Sequence, residues 1–124
     1  MPTALNLPIP TLKRGEHYAG FVMKDGSIEG GHHVILLPGE TTANWENATA
    51  WATKKRGTLP DRREARLLYV NQQAQFNKDS WYWTSEQHPG YESCACVQLF
   101  DVGSQRWFPK GYAYRARAVR RVII

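Results

Sequence analysis

Five consecutive residues, Trp81-Tyr82-Trp83-Thr84-Ser85, constrain this chain more than any other stretch. In an extended strand alternate side chains leave opposite faces, so Trp81 and Trp83 share one side and Tyr82 takes the other. Such a strand has no face to give to water and reads as buried on both sides. Each ring removes roughly 150–250 Å² from solvent when covered. The helical pattern before this strand and the hairpins after it are expected to pack on it.

Residues 1–15 place Pro2, Pro8 and Pro10 around the alternating Leu5, Leu7 and Ile9, which predicts an N-terminal strand arm at a sheet edge, where proline is tolerated. Residues 18–23 read as a strand, Lys24-Asp25-Gly26 as a turn built on the favoured Asp-Gly pair, and residues 33–37 as the returning strand, stopped by Pro38-Gly39. A helix is predicted over 42–56. Asn44 is its N-cap, Trp45, Ala48, Trp51 and Ala52 share one face, and Lys54-Lys55-Arg56 sit where the helix dipole favours cations. Gly57 is the expected left-handed stop. A second helix starts at Asp61, with Glu64 completing a capping box and Ala65, Leu67, Leu68, Tyr69 and Val70 on its apolar side. Arg62, Arg63 and Arg66 on its early turns read as a solvated face.

Beyond the aromatic strand, residues 86–93 form a polar loop, 95–100 a strand, Asp101-Val102-Gly103-Ser104 a turn and 105–108 the returning strand. Pro109-Lys110-Gly111 turns the chain again. Residues 114–123 read as one last strand, with Ala116 and Ala118 on one side and Arg115 and Arg117 on the other.

At 124 residues the chain is sized for a single domain with a real core, and a 42% hydrophobic content excludes general disorder. No apolar run is long enough to cross a bilayer, and Met1-Pro2-Thr3-Ala4 lacks the basic and apolar regions of a signal peptide, so a cytoplasmic location is expected unless a larger particle carries the protein out. Cys94 and Cys96 would lie on one strand face, where a disulfide between them would distort the backbone, so they read as reduced thiols. The alternative is a metal pair completed by His88, or by His32 and His33. The net charge of +5 resides entirely from Asp101 onward, where Arg106, Lys110, Arg115, Arg117, Arg120 and Arg121 face one acid. Either an anionic partner is gripped there, or arginine keeps a strand soluble and protects its edge.

Four blocks together resemble a known family. They are Asn44-Trp45 with Ala48 and Trp51-Ala52; Leu59-Pro60-Asp61-Arg62-Arg63-Glu64 with Leu67-Leu68-Tyr69; Trp81-Tyr82-Trp83-Thr84-Ser85; and Tyr114-Arg115-Ala116-Arg117-Ala118-Val119-Arg120-Arg121. In this order, over residues 17–122, they are similar to the Lcl_C family, named for the C-terminal domain of a bacterial collagen-like adhesin and frequent in phages and prophages. The resemblance implies one domain over 1–124 with an α+β, C-type-lectin-like fold: two helices flanking a twisted antiparallel sheet, with N- and C-terminal strands paired. That pairing would bring residues 4–9 against 117–123. Sugar-binding C-type lectins ligate calcium through carboxylate-bearing triplets. Here Gln87-His88-Pro89-Gly90 lacks the carboxylate after proline, and no Trp-Asn-Asp occurs. The formylglycine-generating and sulfoxide-forming enzymes of that fold need cysteine or histidine patterns this chain does not carry. No catalytic residue, metal or cofactor is therefore assigned.

Ser85, Glu86 and His88 lie close in sequence but read as a hydrogen-bonded turn rather than a triad. A non-enzymatic binding module is expected, using His88 and Tyr91 of the loop with Arg106, Trp107, Lys110, Tyr112, Tyr114 and Arg115 of the following hairpin. Aromatic and arginine side chains carry most energy per residue at interfaces. The expected role is a phage- or prophage-encoded accessory protein, in the cytoplasm of the bacterial host, that binds and inhibits or sequesters a host protein or anionic small molecule. A virion or surface module recognising a receptor or glycan is one alternative, and a nucleic-acid binder using the basic C-terminal strand is another. An exposed edge strand leaves homo-oligomers open.

Overall fold

The computed structural model describes residues 7–124. The chain is α+β. It opens with a hairpin of β1 (His17–Lys24) and β2 (Ser27–Leu36), turned at Asp25 and Gly26, which both take the left-handed conformation (φ 48° and 78°) that the Asp-Gly pair favours. A short β3 (Thr41–Ala43) leads into α1 (Trp45–Lys54) and α2 (Arg62–Gln72), the latter ending in a 3-10 turn at Gln73–Gln75. There follow β4 (Trp81–Gln87), β5 (Cys94–Leu99), β6 (Gln105–Pro109), β7 (Tyr114–Ala116) and β8 (Val119–Ile123). No helix among the described residues is long and apolar enough to cross a membrane.

The strands form two sheets rather than the single expected one. One is ordered β1-β2-β8 and wholly antiparallel; the other is ordered β3-β7-β4-β5-β6, with β4 and β7 running parallel at Tyr82 and Arg115. The expected last strand is in fact two, because the chain changes sheets at Arg117 and Ala118. Arg117 holds this crossing by donating to Leu37 O at 3.0 Å and to Gln75 O at 2.7 Å, while Leu37 N donates to Ala118 O at 2.9 Å. Its guanidinium is buried, which lowers its pKa, and it lies over the Phe76 ring.

The predicted N-terminal arm needs a second correction. Leu7, Pro8 and Ile9 belong to no strand, and β8 takes β2 as its partner, from His32–Ile123 to Leu36–Val119. Ala4, Leu5 and Asn6 lie outside the described residues. The first described strand, β1, is separated from β8 by β2. What ties the following segment to β8 is side-chain chemistry: Arg120 donates to Thr11 O and to Glu16.

Both helix starts follow local chemistry. Asn44 Oδ1 accepts from Asn47 N at 2.9 Å, and Asp61 and Glu64 complete a reciprocal capping box at 2.8 Å each way. The first helix is shorter than predicted because Thr41–Ala43 pairs with β7. Its left-handed terminal residue is Arg56 (φ 62°), not Gly57, a conformation that costs a non-glycine residue about 1–2 kcal/mol. Gly57 is required for a different reason: a Cβ there would stand 2.5 Å from Val119 O and 2.7 Å from Leu37. On α2, Ala65 and Leu68 are buried as expected, but Val70 is exposed and Glu64 is fully buried instead.

The aromatic strand separates two cores. Trp83 packs with Ala48 and Ala52 of α1, Val97 and Ala116, whereas Tyr82 packs with Leu68 of α2, Phe76, Phe100 and Val119. The polar ends of the rings are satisfied. Trp83 Nε1 donates to Ala43 O at 2.9 Å; Tyr82 OH donates to Glu40 at 2.6 Å and accepts from Asn77 N. Burial, reinforced by that bond to Glu40, pushes the Tyr82 hydroxyl up to about 12.

Candidate functional site

Strand alternation divides the residues of the β5–β6 hairpin. Trp107, opposite Cys96, leaves the sheet on the α2 side, while Phe108, opposite Ala95, packs against the α1 core. The Arg62 guanidinium lies 5.2 Å from the centre of the Trp107 ring, and His88 meets the same ring edge-on at 4.7 Å. Tyr91 in turn stands edge-on to His88 at 5.0 Å. Arg62, Trp107, His88 and Tyr91 thus form a continuous ladder of flat groups, with the 69% exposed Tyr91 as its outer rung.

Polar contacts fix this ladder from behind. Arg62 Nε donates to Gln105 Oε1 at 3.0 Å, and Gln105 Nε2 donates to Arg62 O and to Gln98 Oε1. The buried Gln98 then donates to Ala65 O at 2.7 Å, so three side-chain amide contacts clamp α2 to the sheet. His88 Nδ1 accepts from the backbone N–H of Gly90 at 2.9 Å and of Tyr91 at 3.1 Å, which assigns its proton to Nε2 and holds the loop closed.

Beside the ladder lies a cavity of about 310 Å³ lined by Arg62, Arg63, Arg66, Glu86 and Gln105. Glu86 accepts from Arg62 N at 2.7 Å and so satisfies one donor at the start of α2. Arg63 pairs with Asp61 at 3.2 Å in an exposed position, where such pairs contribute little. Among the described residues Arg66 forms no ion pair. Arg63 and Arg66 are exposed, as the solvated-face reading expects, but Arg62 is half-buried under the tryptophan. The spacing of 62 and 66 places both on one helix face. Nothing local indicates that Trp107 covers that face.

The other expected binding residues lie elsewhere. Lys110 sits over the Trp45 ring at 4.4 Å and donates to Gln87, Tyr114 packs between Trp83 and Phe108, and the exposed Tyr112 stands 6.5 Å from it. Arg115 pairs with Glu40 at 2.7 Å on the rim of a separate cavity that includes Trp81 and Tyr114. Arg106 is exposed and, among the described residues, donates to the neighbouring Gln105 O. The predicted surface is therefore divided: His88, Tyr91 and Trp107 join α2, Lys110, Tyr112 and Tyr114 join the α1 side, and Arg115, on the opposite face of β7 from Tyr114, meets Glu40, the partner of Tyr82.

Four of the six cations of the arginine-rich end meet partners from within the chain. Arg115 is paired with Glu40, Arg117 is buried on backbone carbonyls, Arg120 holds Glu16, and Arg121 holds Glu64. Each of these acids or carbonyls is distant in sequence, so the +5 concentration did not reveal the neutralisation. Cys94 and Cys96 are free thiols, and burial pushes the Cys96 thiol up, which makes it a poor nucleophile. His32 faces Glu64 and His33 faces Tyr18, and no group of three metal-ligating side chains occurs among the described residues.

Neither a family model nor a curated protein matches this chain.

Proposed function

We propose that the protein is a non-enzymatic binding module that grips an anionic partner on the face built by α2 and the β5–β6 hairpin. The carrying observation is the Arg62–Trp107–His88–Tyr91 ladder beside a cavity edged by Arg63 and Arg66. Guanidinium groups recognise carboxylate and phosphate by paired donors, and the aromatic rungs supply apolar area at low entropic cost. The N-terminal end of α2 adds positive potential to the same side.

We read the fold as C-type-lectin-like and the protein as a phage- or prophage-encoded accessory factor acting in the bacterial host cytoplasm. Support comes from the four sequence blocks similar to the Lcl_C family and from the placement of the two helices against the two cores of the aromatic strand. On this reading the partner is a host protein with an acidic face or an anionic small molecule, which the module inhibits or sequesters.

The test is affinity capture from bacterial lysate with the full chain and, in parallel, an Arg63→Glu/Arg66→Glu double variant. A stoichiometric host protein or retained anionic small molecule, lost with the variant, is the expected result. Capture of virion or surface components instead would move the protein to receptor or glycan recognition. Recovery of nucleic acid with steep salt dependence would mark the third reading. Equal capture by wild type and variant overturns the assigned face.

A further inference from the structure

Away from the ladder, three turns of the chain meet around a second cavity, of about 230 Å³. One turn brings Lys13, Arg14 and Glu16, another Leu37 and Pro38, the third Lys55 and Arg56, and Arg120 of β8 completes the wall. Five cations thus face one space with a single carboxylate. That carboxylate is already engaged: Glu16 accepts from two Arg120 nitrogens at 2.8 and 2.9 Å and from Lys13 N at 2.7 Å. Among the described residues Lys13, Arg14, Lys55 and Arg56 form no ion pair, and residues 1–6 contain neither aspartate nor glutamate.

The backbone around this cavity is shaped in favour of the cations. Arg56 occupies a left-handed conformation (φ 62°) in which glycine would end the helix without strain. An arginine there instead adds a cationic residue to the cavity lining, and outliers of this kind concentrate at ligand sites. Gly39 (φ 96°), next to the lining residue Pro38, leaves room for Lys55, whose Nζ stands 2.8 Å from where a Cβ would be. The Lys55 ammonium also lies 5.6 Å from the Trp51 ring, which restricts its range. Like charges gathered on one concave surface repel each other, and the apolar Leu37 and Pro38 strengthen that repulsion by displacing water. An anion in the cavity removes it.

We propose that this cavity binds a phosphate group, either free or carried by a small organic molecule. Guanidinium forks and an ammonium are the donor set suited to tetrahedral oxyanions. The cavity extends past the cations onto Leu37 and Pro38, so an attached organic group would have an apolar surface to rest on.

The experiment is isothermal titration calorimetry of the full chain at low ionic strength with inorganic phosphate, pyrophosphate and adenosine monophosphate in separate runs. Saturable binding is expected, weakened roughly tenfold in Arg56→Gly, since one charge-assisted bond to phosphate is removed. Glycine accepts φ 62° without strain, so this variant melts no lower than the parent and a loss of affinity cannot be blamed on folding. Any phosphate bound at the ladder face is a separate component, lost in Arg63→Glu/Arg66→Glu and not in Arg56→Gly, which separates the two sites. Tighter binding of the nucleotide than of phosphate would identify an organic phosphate as the ligand class; equal affinity would identify the bare anion. Absence of saturable binding with all three, or binding unaffected by Arg56→Gly, overturns the proposal.

Discussion

Arg121 of β8 holds both carboxylate oxygens of Glu64 of α2, and Glu64 has no exposed surface. His32 Nε2 lies 2.8 Å from the same carboxylate, and Asp61 N donates to it at 2.8 Å. Burial by itself raises a carboxyl pKa, but the bonds from Arg121, Asp61 N–H and His32 outweigh it and hold Glu64 below its ordinary value. One helix residue is thereby tied to two strands of the three-stranded sheet.

Replacing Glu64 by glutamine keeps the shape and the capping acceptor but leaves Arg121 without its counter-charge. Glu64 is fully covered but Arg121 reaches water, so the orphaned guanidinium is solvated and the loss is about 2 kcal/mol, that of a charge-assisted bond. Urea denaturation should show that loss with an unchanged slope. A change below about 1 kcal/mol would mean that the pair contributes little to stability.

Acid should destabilise the protein in two stages. His33 is buried against Tyr18 and Phe21, and burial, aided by neighbouring His32, lowers its pKa below 6.5. The unfolded chain then binds the proton more readily, so stability falls as pH drops below the unfolded value of 6.5. Glu16, held down chiefly by Arg120, and Glu64 are both lowered from 4.5, so their contribution is complete above that pH and lost as pH falls through their folded values. Melting curves from pH 8 to 3 test this. His33→Gln should flatten the upper stage and leave the lower one; an unchanged upper stage would assign it to another group.

Arg56→Gly should stabilise the fold by up to about 1 kcal/mol, because the left-handed residue no longer carries a Cβ. Gly57→Ala should do the opposite, since its methyl group meets the β8 backbone at Val119 O, and a loss of about 2 kcal/mol is expected. If the two variants melted in the reverse order, the assigned helix ending would be wrong.

Trp107→Ala removes the middle of the ladder while sparing both buried cores. Retention of the captured partner should fall at least tenfold, in line with loss of a central aromatic contact worth about 2 kcal/mol. Circular dichroism of the free variant should match the parent. Full retention of the partner would exclude the α2–β6 face as its seat.

Much of the local structure is legible from neighbours in sequence. Asp25-Gly26 announces its turn, Asn44 and Asp61 announce their helices, and Trp81-Tyr82-Trp83 announces a strand covered on both sides. Capping and alternation operate over a few residues, so a linear reading captures them. The stop at residue 56 shows the limit: glycine at 57 looks like the helix end, yet the close approach of β8 is what demands it.

Placement of the charges followed a different logic. The six cations after residue 100 look like a free basic end, but acids or carbonyls from elsewhere in the chain meet Arg115, Arg117, Arg120 and Arg121. Apart from Arg120, the arginines that edge the candidate sites come from α2 and from the turns at 14 and 56, where the sequence reads as a solvated face and a helix end rather than a site. Turns, caps and the two-sided strand follow from covalent neighbours and steric rules that act within a few residues. Which guanidinium meets a carboxylate and which faces a cavity depends on strand order and on the crossing at Arg117, because electrostatic pairing is a matter of distance in space rather than along the chain.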